Sequence, residues 1–348
     1  MAKRKKQILI FVLLFVILLA GGLAIFYLKY KAVFMDAANQ RTKTVSVFIP
    51  TGSDYEQLCD SLFHKNLIAD TTLFHKVAKY KNLQDNIHAG HFRLAPDVTI
   101  NQIINTISGN RQTPVNVTFH HIRKIEKLAG KVSNQLELDS AILMTLLHDQ
   151  DMLDSLGINK EQILGFFIPN TYEFYWNTSA IEFLTRMKQK HDRFWNEKRK
   201  RKAASIGLTP EEVSTLASIV QEETNQASEM SRIAGVYINR LNIGMPLQAD
   251  PTLKYVINDW SIRRVLDRHK QISSPYNTYQ NIGLPPGPIS MPEPHVIDSV
   301  LNYEEHDYLF FVASIDRPGY HEFSRSLREH NNKANRYRHN LNQRGIYR

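Results

Sequence analysis

The chain reads as an α+β protein tethered by a single N-terminal transmembrane helix, and three features of its 348 residues say so. Lys3-Arg4-Lys5-Lys6 precedes an uncharged, almost wholly apolar run over residues 8–28, and about 20 apolar residues span a bilayer core. Beyond that run, apolar residues recur at helical spacing through much of the chain. Short β-type runs at 45–50 (VSVFIP), 114–119 (PVNVTF) and 308–314 (YLFFVAS) interrupt the helical stretches. The expected layout is a cytoplasmic tail (1–6), a membrane helix (7–28), a polar connector (29–44), a small subdomain (45–112) and a larger mixed α/β domain (113–348).

The N-terminal helix is expected to stay attached. The small-residue stretch Ala20-Gly21-Gly22-Leu23-Ala24 lies in the middle of the apolar run and does not end it, unlike a signal-peptide cleavage site. Four cations before the run, against Lys29 and Lys31 just after it, favour a cytoplasmic N-terminus and an extracytoplasmic bulk. Removing those four cations from the formal charge of +9 leaves +5 for the remainder, since residues 7–28 are uncharged. A mildly basic outer domain suits an acidic polymer or an anionic lipid surface, and the topology argues against nucleic acid. Cys59 is the only cysteine, so no internal disulfide forms. It shares helical spacing with Leu58, Leu62 and Phe63 and is expected to be a buried, inert thiol.

Within 45–112, strand 45–50 is followed by a helix start at Gly52-Ser53-Asp54 and by a second helical run marked by Leu73, Val77 and Tyr80. Ala89-Gly90 then turns into the strand His91-Phe92-Arg93-Leu94, and Ile100, Ile103, Ile104 and Ile107 form a helix closed by Gly109. In the larger domain, 198–202 (KRKRK) continues a helix beginning near Ile181. The run is a solvated face or, alternatively, a contact for acidic polymer or lipid. Ser228 is expected to cap a helix whose buried side holds Met230, Ile233, Tyr237 and Leu241, stopped by Gly244 and Pro246. Residues 247–252 (LQADPT) follow as an extended segment, because residues before proline avoid the α region. The basic, polar stretch 332–348 is expected to form a fraying helix.

The most informative segment begins at Thr209-Pro210-Glu211-Glu212, which supplies an N-cap, a first-position proline and a capping-box glutamate. Val213, Leu216, Ala217, Val220 and Thr224 mark the apolar stripe of the helix. At about 100° per residue, Glu223 falls beside Leu216 and Ile219 at the stripe's edge, whereas Glu222 points to the opposite face. A carboxylate withdrawn from water near a helix C-terminus has a raised pKa, as a general acid working near neutrality requires. A flank glutamate paired with a neighbouring cation fits the same positions, and paired charges outnumber catalytic ones.

The motifs ASIVQEET (217–224), VYINRL (236–241), GMPLQADPT (244–252), SPYNTYQNIGLPPGPI (274–289) and HEFSRSLREHN (321–331) resemble, in that order, the MltG (YceG-like) family of endolytic murein transglycosylases. The likeness runs over roughly 163–331. The family's first motif usually reads ASI-hydrophobic-E-K-E, its second acidic residue being taken as catalytic, and here Gln221 holds the first acidic position and Glu223 the second. The resemblance therefore implies Glu223 as the catalytic residue. GFFIPNTYEF (165–174) resembles a further family segment but has Leu164 and Asn170 where Glu and Asp are usual. The order of elements in 45–112 is similar to the LysM-like subdomain that precedes the family's YceG-like catalytic domain, here 113–348; glycan contact and simple packing are both open to it.

The resemblance also implies the chemistry. The protonated carboxyl donates to the oxygen between N-acetylmuramic acid and N-acetylglucosamine, then as carboxylate takes the proton of the muramic C6 hydroxyl, which closes onto its own C1. The product is a 1,6-anhydro end. An intramolecular hydroxyl of high effective molarity replaces water, so one carboxyl serves where ordinary glycosidases use two. Gln248, Asp250, Tyr276, Asn277 and Thr278 are the expected substrate contacts. If Asp250 lay opposite Glu223, hydrolysis would compete. No cofactor is expected, and no metal: His88, His91, His120, His121, His321 and His330 show no ligand spacing. The expected partners are peptidoglycan glycan strands, the cytoplasmic membrane and cell-wall synthases (penicillin-binding proteins). A non-catalytic peptidoglycan-binding scaffold is the alternative.

Overall fold

The structure, a computed structural model, describes residues 2–262 and 265–343. It opens with α1 (Ala2–Phe34), and among the described residues this is the one helix long and apolar enough to cross a membrane. Its apolar side chains between Ile8 and Leu28 stand exposed, as lipid-facing ones would. The rest of the chain divides into two compact units. One takes in residues up to 116 with two short returns, 135–137 and 173–178; the other comprises 117–134, 138–172 and the remainder from 179.

The first unit contains β1 (Val45–Ile49), α2 (Tyr55–His64), α3 (Thr71–Tyr80), β2 (Gly90–Leu94) and α4 (Ile100–Ser108), in the order the sequence predicts. β1 and β2 pair antiparallel, Val45 opposite Leu94 and Ile49 opposite Gly90. Asp54 and Thr99 cap α2 and α4 through full capping boxes, with Gln57 and Gln102 returning the hydrogen bond. The core gathers Val47, Leu58, Leu62, Phe74, Phe92 and the four isoleucines of α4. Cys59 is buried among them, and burial pushes its thiol pKa up. On α3 the buried residues are Phe74 and Ala78, while Tyr80 is 87% exposed. The predicted stripe of that helix was rotated by one residue, since Leu73 and Val77 lie at its edge. The returning segments belong here physically: Glu137 accepts from both the N–H and the hydroxyl of Thr51 at 2.6 Å, and Trp176 meets the Phe48 ring edge-on at 5.1 Å.

The second unit is helix-dominated. Its elements, with β3 and β4 each shared at one end with the first unit, are β3 (Val115–Phe119), α5 (Ile125–Ser133), α6 (Ser140–His148), α7 (Gln150–Leu156), α8 (Ile163–Phe166), β4 (Asn170–Phe174), α9 (Ala180–Phe194) and α10 (Glu197–Ser205). They continue with α11 (Pro210–Glu223), α12 (Ala227–Asn242), α13 (Asp250–Ile257), α14 (Asp267–Lys270), α15 (Pro294–Leu301), β5 (Phe310–Ala313), β6 (His321–Ser324) and α16 (Leu327–Gln343). β3 pairs with β4, and β5 with β6 in an antiparallel hairpin. The core is built where α11, α12 and α15 meet, through Leu216, Ile219, Val220, Ile233, Tyr237 and Ile297. Gly235 lets the 304 loop lie against α12, for a Cβ there would stand 2.4 Å from the Glu304 carbonyl oxygen.

Five local expectations change. The helix near Ile181 does not run through KRKRK: it ends at Phe194, and Asn196 caps a separate helix whose Arg199 is bound to Asp298 and lies over the Phe194 ring. Ser228 is no cap, because α12 begins at Ala227 behind Gln226, and Leu241 is only partly buried. Residues 247–252 are not extended throughout. Asp250 starts α13, with Pro251 in its first turn, where proline's missing N–H costs nothing. The YLFFVAS strand is shorter than predicted and only half-buried. The C-terminal helix starts at Leu327, ahead of position 332, and its expected last residues, 344–348, lie outside those described.

Candidate functional site

Glu223 is the last residue of α11. The helix starts as its sequence dictates: Thr209 accepts from the Glu212 N–H, Glu212 answers from its side chain, and Pro210 occupies the first turn. Glu222 and Glu223 then part company. Glu222 faces Arg123, which grips it through two hydrogen bonds of 3.1 and 2.7 Å, and its side chain is 5% exposed. Glu223 turns to α12, where the Tyr237 hydroxyl donates to its Oε1 at 2.7 Å. Among the described residues, Glu223 has no cation within ion-pair distance, so the paired-flank alternative belongs to Glu222.

A cleft of about 390 Å³ is lined by Glu223, Tyr237, Arg240, Gln248, Asp250 and Tyr279. Phe310 and Phe311 of β5, with Leu327, His330 and Asn331 of α16, complete its lining. The β5–β6 hairpin is anchored to α12 by buried Glu229, which accepts from the His321 N–H at 2.9 Å and its Nδ1 at 3.0 Å. Burial pushes the Glu223 pKa up to about 7; the negative charge of Asp250 adds to the rise, and the Tyr237 hydrogen bond, Lys254 and Arg240 oppose it. Tyr237 is itself raised well above the usual phenol by burial and by Glu223, so it remains a donor. Burial keeps His330 below the ordinary imidazole value and hence neutral near pH 7. The result is a carboxyl group that holds its proton near neutrality beside a fixed hydroxyl donor.

The five expected substrate contacts separate into three groups. Gln248 and Asp250 lie in the cleft with Glu223. Gln248 adopts a left-handed backbone (φ 51°) and its N–H donates to the Thr278 carbonyl. Asp250 accepts from the Tyr279 hydroxyl at 2.5 Å. Asn277 and Thr278 are wholly buried and shape the loop. Asn277 donates to the Lys270 and Ile272 carbonyls, and Thr278 receives the Ala249 N–H and shares a hydrogen bond with Thr252. Their side chains hold 248–250 against the loop and leave no surface for a ligand. Tyr276 lines a different cleft, beside Tyr255 and Trp260.

Sequence reasoning passed over Tyr237, Tyr279, Phe310, Phe311 and His330. Tyr237 sat in a core stripe, and only the packing of α12 on α11 brings its hydroxyl to Glu223. Tyr279 and His330 lie inside the family-like motifs, which was the available signal. Arg240 donates to two carbonyls, Leu309 at 2.7 Å and Leu247 at 2.5 Å. Gln221 is buried; its amide donates to the Met291 carbonyl at 3.1 Å and accepts from the Glu293 N–H at 2.7 Å. The LPPGPI loop is tightly seated, for a Cβ on Gly287 would meet the Glu161 carbonyl oxygen at 1.9 Å. Among the described residues no three His, Cys, Asp or Glu side chains converge as metal ligands.

The model of the YceG-like family matches residues 47–336, and the chain belongs to that family. An endolytic murein transglycosylase of Bacillus subtilis (strain 168) is 26% identical over 335 residues, covering 92% of this chain and 91% of that protein. One from Streptococcus pneumoniae serotype 2 (strain D39) is 26% identical over 341 residues, covering 89% of this chain and 61% of that protein. The crystal structure of a yceG-like protein from Listeria monocytogenes is similar at a TM-score of 0.56 and 26% identity, over 83% of this chain and 98% of that one.

Proposed function

We propose that the chain is a membrane-anchored endolytic peptidoglycan transglycosylase that cuts the bond between N-acetylmuramic acid and N-acetylglucosamine and leaves 1,6-anhydro ends. One observation carries the reading: Glu223, unpaired by any cation among the described residues, opens into a cleft and keeps its proton up to about pH 7. The names of the relatives supply the substrate class. In this mechanism Oε1 stays engaged by Tyr237 while Oε2 delivers the proton to the glycosidic oxygen. The carboxylate so formed is stabilised by the same hydroxyl and by the nearby charge of Arg240. It then takes the C6 hydroxyl proton as that oxygen closes the anhydro ring. α1 anchors the chain with its N-terminus in the cytoplasm, and the two units act outside on newly made strands, beside the synthases. The first unit serves as a LysM-like glycan contact or as packing support.

A second reading, hydrolysis, is favoured by Asp250, which lines the same cleft as Glu223 and could activate water as the second carboxylate of a glycosidase. Mass spectrometry of digested sacculi separates the readings. Anhydro ends support the transglycosylase, reducing ends support the hydrolase, and glycan binding without products supports the scaffold. A steep fall in all products in Glu223→Gln is expected under both catalytic readings, and full activity in that variant would remove them.

A further inference from the structure

The second cleft, with Tyr276 on its wall, encloses about 500 Å³ and belongs to none of the chemistry described so far. We propose that it receives the zwitterionic peptide stem of the strand cut at Glu223, a proposal that rests on the glycan-cleaving reading above. Its floor is aromatic. The Tyr255 and Tyr276 rings lie 4.8 Å apart at 42°, and the Arg123 guanidinium stacks 4.2 Å from the Trp260 ring centre. Arg123 is neutralised by Glu222, so it acts as a flat, fixed wall. Among the described residues of the lining the remaining Lys, Asp and Glu charges are two of each sign, Lys124 and Lys160 against Glu126 and Glu161, and both lysines are exposed without an ion pair.

A neutral sugar could hydrogen-bond to these groups but would form an ion pair with none of them. A peptide stem carries free carboxylates and, at its diamino acid, a free amine, and so meets both signs while its aliphatic parts lie on the rings. The placement fits as well. α13 contributes Asp250 to the catalytic cleft and Tyr255 to this one, about 7.5 Å apart along the helix axis at 1.5 Å per residue. At the end of α11, Glu222 fixes the wall of one cleft and Glu223 serves the other. A stem hanging from a sugar next to the scissile bond would reach it directly.

The test uses a free synthetic stem peptide titrated by calorimetry into the full-length Glu223→Gln protein in detergent, where no cleavage intervenes. Binding is expected, and Lys124→Glu with Lys160→Glu should weaken it about tenfold or more. Both lysines are exposed, so the double variant should fold, and an unchanged thermal midpoint checks this. With otherwise wild-type protein, the double variant should raise KM on stem-bearing strands and leave strands stripped of peptide by an amidase unaffected. Absence of peptide binding, equal binding by the double variant, or an equal effect on stripped strands would overturn the proposal. If the wild-type protein cleaves neither strand, the catalytic reading fails, and the peptide titration still decides this one.

Discussion

The Tyr237 phenol donates to Glu223 Oε1 over 2.7 Å, joining the final residue of α11 to the middle of α12. This bond favours the carboxylate and so holds the Glu223 pKa below the value burial alone would set. Tyr237→Phe should therefore move the alkaline limb of kcat/KM upward by about one pH unit, given about 1.5–3 kcal/mol for a hydrogen bond to a charged group. It should also slow turnover, because the conjugate base loses its donor. A pH–rate profile of the two proteins checks both; an unmoved limb would contradict the assignment.

Glu223→Gln keeps a hydrogen-bond acceptor for Tyr237 but has no proton to give. We expect the rate of glycan cleavage to fall by about 10²–10⁴-fold, with glycan binding retained. Product quantification by mass spectrometry, alongside a sacculus-binding assay, measures each separately.

The same residue links stability to pH. The folded state raises Glu223 from its ordinary value near 4.5 to about 7, so between these values the native protein binds more protons than the unfolded chain. Stability from this group is fully present below about pH 4.5 and is lost as pH rises through about 7, a swing of about 3 kcal/mol. Glu223→Gln removes that loss. Its thermal midpoint relative to wild type should climb steadily between pH 5 and pH 8, and a constant difference across the range would refute the linkage.

Arg240 is buried and ties the Leu309 and Leu247 carbonyls to α12. Arg240→Leu leaves both acceptors unsatisfied, and we expect a loss of about 2–4 kcal/mol in urea unfolding. It also removes a positive charge that favours the Glu223 carboxylate, so the alkaline limb of surviving activity should shift upward.

Gln221 stands where the motif resemblance expects a glutamate, and its amide both donates and accepts in a buried setting. Gln221→Glu keeps the bond from the Glu293 N–H and loses the one to the Met291 carbonyl unless the new acid is protonated. The variant should remain active and be destabilised by about 1–3 kcal/mol at pH 8, with less loss at pH 5. Denaturant midpoints at the two pH values test this.

Much of the fold was legible because its signals are local. The capping box at Thr209 uses residues three apart, the helix start near Asp54 lies in one short tripeptide, and the isoleucine stripe of α4 needs only the 3.6-residue period. Where the reading slipped, tertiary contact overruled a local rule. Asn196 caps a new helix although the charges run on. Phe74, and not Tyr80, faces the core. Pro251 sits in the first turn of a helix where a proline rule had suggested extended chain.

The amino-acid order alone thus determined a long apolar helix at the N-terminus, the placing of Glu223 at the edge of an apolar stripe, and the motifs that share its cleft. Only the folded molecule decided that Tyr237 meets Glu223, that Asp250 and Tyr279 share the cleft while Asn277 and Thr278 are buried, and that Tyr276 faces elsewhere. The reason is physical. Helix period and capping depend on neighbours a few residues apart, whereas a carboxyl group's surroundings depend on which remote helices and loops close over it.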